Sequence, residues 1–167
     1  MLYEADNALR EFHGKYGFPV DIFFEAIQPQ CAQDLEQESK CLLEIAESMK
    51  DTAMEAQKSG DESLYRAYLM MEELGETLEA MANKDPEKFA DGLADLMYVV
   101  VGTAITYGLP IAEVFAEVHR SNMTKKLRVP GNERMRDKGP SYQPPRIAEA
   151  IQRGLDRRRW EQKLKGD

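Results

Sequence analysis

Strand-forming signals are nearly missing from this chain. Ala, Glu, Leu, Met, Lys and Gln dominate it, and its β-branched run, Val99-Val100-Val101, lies inside a longer helical stretch. Punctuation by Gly, Pro, Asn and Asp divides that composition into helices. A first helix is expected from Asp6 to Lys15, stopping near Gly17 and Pro19, and a long one after the Pro29 break, from about Gln30 to Gln57. In the long helix Cys31, Leu35, Leu42, Ile45 and Met49 recur at three-, four- and seven-residue steps, which predicts a buried stripe. Asp61 is placed to cap a helix running to Ala82, and Asp85-Pro86 to open another that ends at Gly108. Pro110 starts a short helix reaching Ser121. After Lys125, Pro130-Gly131, Gly139-Pro140 and Pro144-Pro145 predict a long irregular arm, followed by a basic helix from Arg146 to Leu164. Short turns between long helices make an all-α antiparallel bundle the economical architecture. The expected division is a helical domain over 1–125, with the arm and basic helix of 126–167 packed on it or on a neighbouring subunit.

At 167 residues the chain has room for one ordinary core. No unbroken apolar run approaches the roughly 20 residues of a membrane span. The acidic N-terminal stretch lacks a signal-peptide layout, so the expected address is the cytoplasm. Cys31 and Cys41, about 15 Å apart on one helix, are too distant to bridge. The net charge of −8 hides an asymmetry: 8 basic against 24 acidic residues up to Val118, then 14 basic against 6 acidic. An acidic body argues against nucleic acid as the main partner, while the basic tail suits anionic ligands or ion pairs with the body. Arg157-Arg158-Arg159 reads as a solvated or subunit-contacting face.

Two central helices carry carboxylates where a simple bundle has no use for them. Glu72, Glu73 and Glu76 share one face of the first, and Asp91 and Asp95 share one face of the second. Crowded carboxylates repel one another unless a cation lies between them. Asp95 leads into an apolar stretch where the helix is expected to become fully buried, with Met97 and Tyr98 in the core. Stacked acids on adjacent helices make an oxygen-rich cage of the kind that Mg²⁺ or Mn²⁺ prefers. A ferritin-like di-iron site would need Glu-x-x-His pairs. His13 and His119 follow Arg10 and Ala116 at that spacing, which excludes it. Both histidines read as ordinary hydrogen-bonding residues outside the site.

Glu72-Glu73-x-x-Glu76 followed by Asp91-x-x-x-Asp95 resembles the signature of the all-α nucleoside triphosphate pyrophosphohydrolases, the MazG-like superfamily. Phe12 to Pro19, His119 to Lys125 and Lys138 to Pro145 resemble its phosphoribosyl-ATP pyrophosphohydrolase-like branch. One departure stands out. The family's usual Glu-x-x-Asp would put glutamate at position 92, where this chain has Gly92 and carries its acid one residue earlier. The resemblance implies a four-helix core, and cleavage of a triphosphate between its α- and β-phosphates to a monophosphate and pyrophosphate. It implies Mg²⁺ or Mn²⁺ held by Glu73, Glu76 and Asp95, with Asp91 joining directly or through water. Glu72 would orient or deprotonate the attacking water, Asn122 and Lys125 would hold phosphate or sugar oxygens, and Lys138 would close over the phosphates. It also implies a homodimer or dimer of dimers. The rival expectations are a non-catalytic helical interaction protein and a true phosphoribosyl-ATP pyrophosphohydrolase.

Overall fold

The computed structural model describes residues 2–21, 32–129 and 132–165. Its described elements are six helices and one hairpin: α1 (Leu2–Tyr16), α2 (Ala32–Lys58), α3 (Ser63–Ala82), α4 (Pro86–Thr106), α5 (Ile111–Asn122), β1 (Lys126–Val129), β2 (Asn132–Asp137) and α6 (Ile147–Lys165). The fold class is all-α. Its residues form two compact units, one from 32–107 and one from 2–21 with 108–165.

In the 32–107 unit, α2 packs along α3 and α3 along α4. The α2 contact differs from the expected stripe. Ser39, Ala46 and Ala53, at strict seven-residue steps, are its buried residues, whereas Ile45 is exposed. Cys31 lies outside the described residues, and Cys41 is a free, exposed thiol. Small side chains let the two helices approach closely. Ser39 Oγ donates to the Gly75 carbonyl at 2.8 Å, and a Cβ on Gly75 would stand 2.8 Å from the Leu43 side chain. Ala46, Ala53 and Tyr68 form the core of this contact, flanked by Leu64, Tyr65, Leu69 and Met71.

Both expected caps act, one of them shifted by a residue. The Asp61 carboxylate accepts from the backbone N–H and hydroxyl of Ser63, at 2.9 and 2.6 Å, while Glu62 occupies the N-cap position itself. Asp85 caps α4 as expected, accepting the Lys88 N–H at 3.0 Å, with Pro86 in the first turn. The α3–α4 turn is short, and Lys84 takes a left-handed φ of 56° within it. α4 is long and apolar enough, by length and composition, to cross a membrane. Asp91 and Asp95 are what break its apolar run.

The second unit holds α1, α5, the hairpin and α6. β1 and β2 pair antiparallel, with Lys126 opposite Asp137 and Val129 opposite Asn132, so the expected irregular arm begins instead with a hairpin. Each strand is short and rich in charge, which hides it from a hydrophobic pattern. The Pro130-Gly131 signal lies outside the described residues. Glu117, 4% exposed, joins α5 to the start of α6. It accepts from the Arg120 guanidinium at 2.8 and 3.0 Å and from the Arg146 backbone N–H at 2.7 Å. Further along, Arg157 donates to Glu113 at 2.6 Å, and Arg158 donates to the Gly108 and Leu109 carbonyls at 3.0 and 2.9 Å. Two of the three consecutive arginines therefore bind the start of α5.

Candidate active site

The α3–α4 hairpin places the acids of the two helices side by side. Glu76, Asp91 and Asp95 line a cleft of about 420 Å³, together with Glu79, Asn83, Asp85 and Lys88. Glu73 is half-buried beside this cleft rather than among its lining residues. Burial, and then repulsion from Asp95, Glu76, Glu72 and Asp91, holds the Glu73 carboxyl above its ordinary range. Burial and the negative charges of Glu72, Glu79, Asp95 and Asp91 do the same to Glu76. The crowding inferred from spacing is thus present as electrostatic strain. Glu72 is anchored differently: Tyr68, one turn earlier, donates its hydroxyl to Glu72 Oε1 at 2.6 Å.

Among the described residues no group of three or more His, Cys, Asp or Glu is arranged to hold a metal ion. The chemistry of the donor set nevertheless fits a hard divalent cation. Glu73, Glu76, Asp91 and Asp95 offer oxygen alone, and they repel one another in a way that positive charge relieves.

Position 92 has a structural explanation. Gly92 is buried where α4 crosses α3, and a Cβ there would lie 2.5 Å from Thr77 Oγ1 and 3.2 Å from Thr77 Cα. A glutamate at 92 requires the helices to separate. Asp91 reaches the cleft from the neighbouring position instead. Gly92→Ala is expected to lower stability by about 1–3 kcal/mol through overpacking, despite alanine's better helix propensity. Thr77→Ala in the same chain removes the closest of these contacts and should restore part of the loss. Thermal melts of the single and double variants measure this; equal loss in both would show that the close approach is not the cause.

Burial along α4 is lower than its composition implies. Val99 is buried, but Met97 is 47% and Tyr98 83% exposed, so neither lies in the core of this unit. α4 packs on α3 by one face, and the rest of its apolar surface remains accessible, including Val100 and Ile105.

The remaining expected site residues belong to the 2–21 and 108–165 unit. Asn122 is the last residue of α5, Lys125 precedes β1, and Lys138 follows β2 with its ammonium 5.2 Å from the Tyr142 ring centre. The histidines make local contacts: His13 Nδ1 lies 2.9 Å from the Pro19 carbonyl, and His119 Nε2 3.4 Å from Glu11. Three residues around the acids escaped the sequence reading. Tyr68 stands at i−4 from Glu72, a spacing that could have revealed it, whereas Asn83 and Lys88 reach the cleft only because of the turn's geometry.

Residues 41–122 match the profile of the phosphoribosyl-ATP pyrophosphohydrolase family, part of the MazG-like all-α nucleoside triphosphate pyrophosphohydrolase superfamily. That segment is a MazG-like domain. The match covers α3 and α4 completely, and with them every acid of the cleft. No curated protein and no solved structure matches the chain significantly. Within the MazG-like domain, Gly92 is the position where the chain departs from the expected Glu-x-x-Asp pattern.

Proposed function

We propose that this protein is a divalent-metal-dependent pyrophosphohydrolase that converts a nucleoside triphosphate into its monophosphate and pyrophosphate. The observation that carries the proposal is that two helices of a MazG-like domain bring Glu76, Asp91 and Asp95 to one cleft, with Glu73 half-buried beside it. Glu73, Glu76 and Asp95 would hold Mg²⁺ or Mn²⁺, with Asp91 binding directly or through water. When bound, the ion supplies the positive charge that lets a polyanionic substrate approach an acidic cleft and polarises its phosphate oxygens. Glu72 orients the attacking water and accepts its proton. Its Oε1 accepts from the Tyr68 hydroxyl at 2.6 Å, which fixes the carboxylate, and Oε2 would take the proton. Asn122 and Lys125 hold phosphate or sugar oxygens, Lys125 as a point charge, and Lys138 adds a second cation from the segment after the hairpin.

The family description favours one specific alternative substrate, phosphoribosyl-ATP, whose cleavage uses the same phosphoanhydride chemistry. The deciding assay measures pyrophosphate release from canonical nucleotides, damaged nucleotides and phosphoribosyl-ATP, with Mg²⁺ and with Mn²⁺. Release from any nucleoside triphosphate with either metal supports the proposal, and release from phosphoribosyl-ATP alone selects the alternative. No release from the whole panel favours a non-catalytic helical protein. The open apolar surface of α4, with Tyr98 at 83% and Ile105 at 69% exposure, supports a homodimer in which a second copy covers it.

A further inference from the structure

The sequence motif running from Phe12 to Pro19 has no part in the chemistry above, yet its last helical turn grips the end of α5. Tyr16 is 1% exposed, and its hydroxyl meets two main-chain oxygens, those of Asn122 at 2.9 Å and Lys125 at 2.5 Å. Lys15 donates its ammonium to the carbonyl between them, that of Met123. The Thr124 hydroxyl donates to the Ser121 carbonyl at 2.7 Å and accepts the Gln143 N–H at 2.8 Å. These donors engage backbone oxygens and neither the Asn122 amide nor the Lys125 ammonium.

We propose that Tyr16 and Lys15 are positioning residues, which hold the Asn122–Lys125 segment in the conformation that receives the substrate's phosphates. The proposal rests on the assignment of Asn122 and Lys125 to substrate binding. Two physical effects support it. The Asn122 carbonyl takes the Lys125 N–H at 3.2 Å, so the turn after α5 closes on itself, but the Tyr16 and Lys15 donors are what tie it to α1; without them its side chains would lose their fixed origin. The Asn122 and Met123 carbonyls also stand at the negative end of the α5 dipole, hostile to phosphate, and a hydroxyl and an ammonium directed at them reduce that repulsion.

Tyr16→Phe removes one oxygen and retains the ring that packs 4.8 Å from Phe12. Lys15→Met removes the second donor from an exposed site. Lys125→Ala is the reference. Two quantities are read for each full-length variant: the Kd for inorganic pyrophosphate by calorimetry in Mg²⁺, and KM and kcat for the best nucleotide of the panel. Loss of this shared hydrogen bond should weaken pyrophosphate binding and raise KM by about five- to tenfold, with kcat changed less than about twofold. Lys15→Met should act in the same direction. If Lys125→Ala weakens binding while Tyr16→Phe and Lys15→Met leave Kd and KM unchanged, the positioning role is overturned and the assignment of Lys125 stands. If Lys125→Ala has no effect, or the wild type does not bind pyrophosphate, that assignment fails and the positioning role with it. A lower Tm with unchanged Kd and KM marks a purely structural tyrosine and also overturns the proposal. Should Tyr16→Phe not fold, Lys15→Met decides alone by the same criteria.

Discussion

Glu73→Gln is expected to reduce turnover by more than about a hundredfold, because even residues that merely support a metal ligand cost roughly 10–100-fold when lost. The same change should raise, not lower, the Tm of the metal-free protein at neutral pH. Burial and neighbouring acids hold the Glu73 carboxyl above its ordinary range in the folded state. A group raised on folding contributes stability that is complete below its unfolded pKa, about 4.5, and is lost as pH rises through the folded value. At pH 7 the wild type without metal has lost that contribution, and the carboxamide avoids the loss. Glu76→Gln should behave alike, since its carboxyl is raised for the same reasons. Asp95→Asn should lose turnover comparably. Adding Mg²⁺ or Mn²⁺ reverses the ranking: the wild type gains about 2.7 kcal/mol when the metal stands at a hundred times its Kd, and the variants gain little. Thermal melts from pH 4 to 8 with and without metal, alongside pyrophosphate release, measure both halves. A Glu73→Gln protein that keeps its turnover, or a wild type whose Tm ignores both metals, contradicts the proposed function.

The second large effect concerns Glu117. Arg120 and the Arg146 N–H hold its carboxyl down at about 2, so its contribution runs opposite to that of Glu73. A lowered group stabilises above its unfolded pKa and loses that effect as pH falls, here between roughly 4.5 and 2. Glu117→Ala leaves Arg120 without its carboxylate and the first turn of α6 without its acceptor. Its Tm should fall on the order of 10 °C. Hydrogen exchange should show α6 amides losing protection before those of α2 and α3. Unchanged protection in α6 at pH 7 would mean that the arginine contacts farther along, Arg157 with Glu113 and Arg158 with the Gly108 and Leu109 carbonyls, anchor the helix instead.

Several features were legible in residue order because they are local. Asp85-Pro86 sets the start of α4 through one hydrogen bond across three residues and a fixed proline φ. The i, i+3 and i+4 spacing of Glu72, Glu73 and Glu76 ensures a shared face once the helix forms. Other features depended on shape. The α2 stripe was read from its large apolar residues, of which Leu35, Leu42 and Met49 are half-buried, but the fully buried positions are Ser39, Ala46 and Ala53, because helices that approach closely need small side chains. Tyr98 reads as a core residue in a row of apolar neighbours, yet it is 83% exposed because α4 packs on α3 by one face. The hairpin at 126–137 escaped because its short, charge-rich strands carry no alternating apolar pattern.

Helix class, caps and the facing of the acids were therefore set by the sequence itself, since each depends on residues within about one or two turns of one another. Which acids line the cleft, why glycine fits at position 92 and how Tyr16 reaches the end of α5 were decided by tertiary structure. Each depends on the distance between segments far apart in the chain, and no local rule contains that distance: Thr77 against Gly92, Glu73 beside Asp95, and a tyrosine hydroxyl across 106 and 109 residues from the carbonyls it binds.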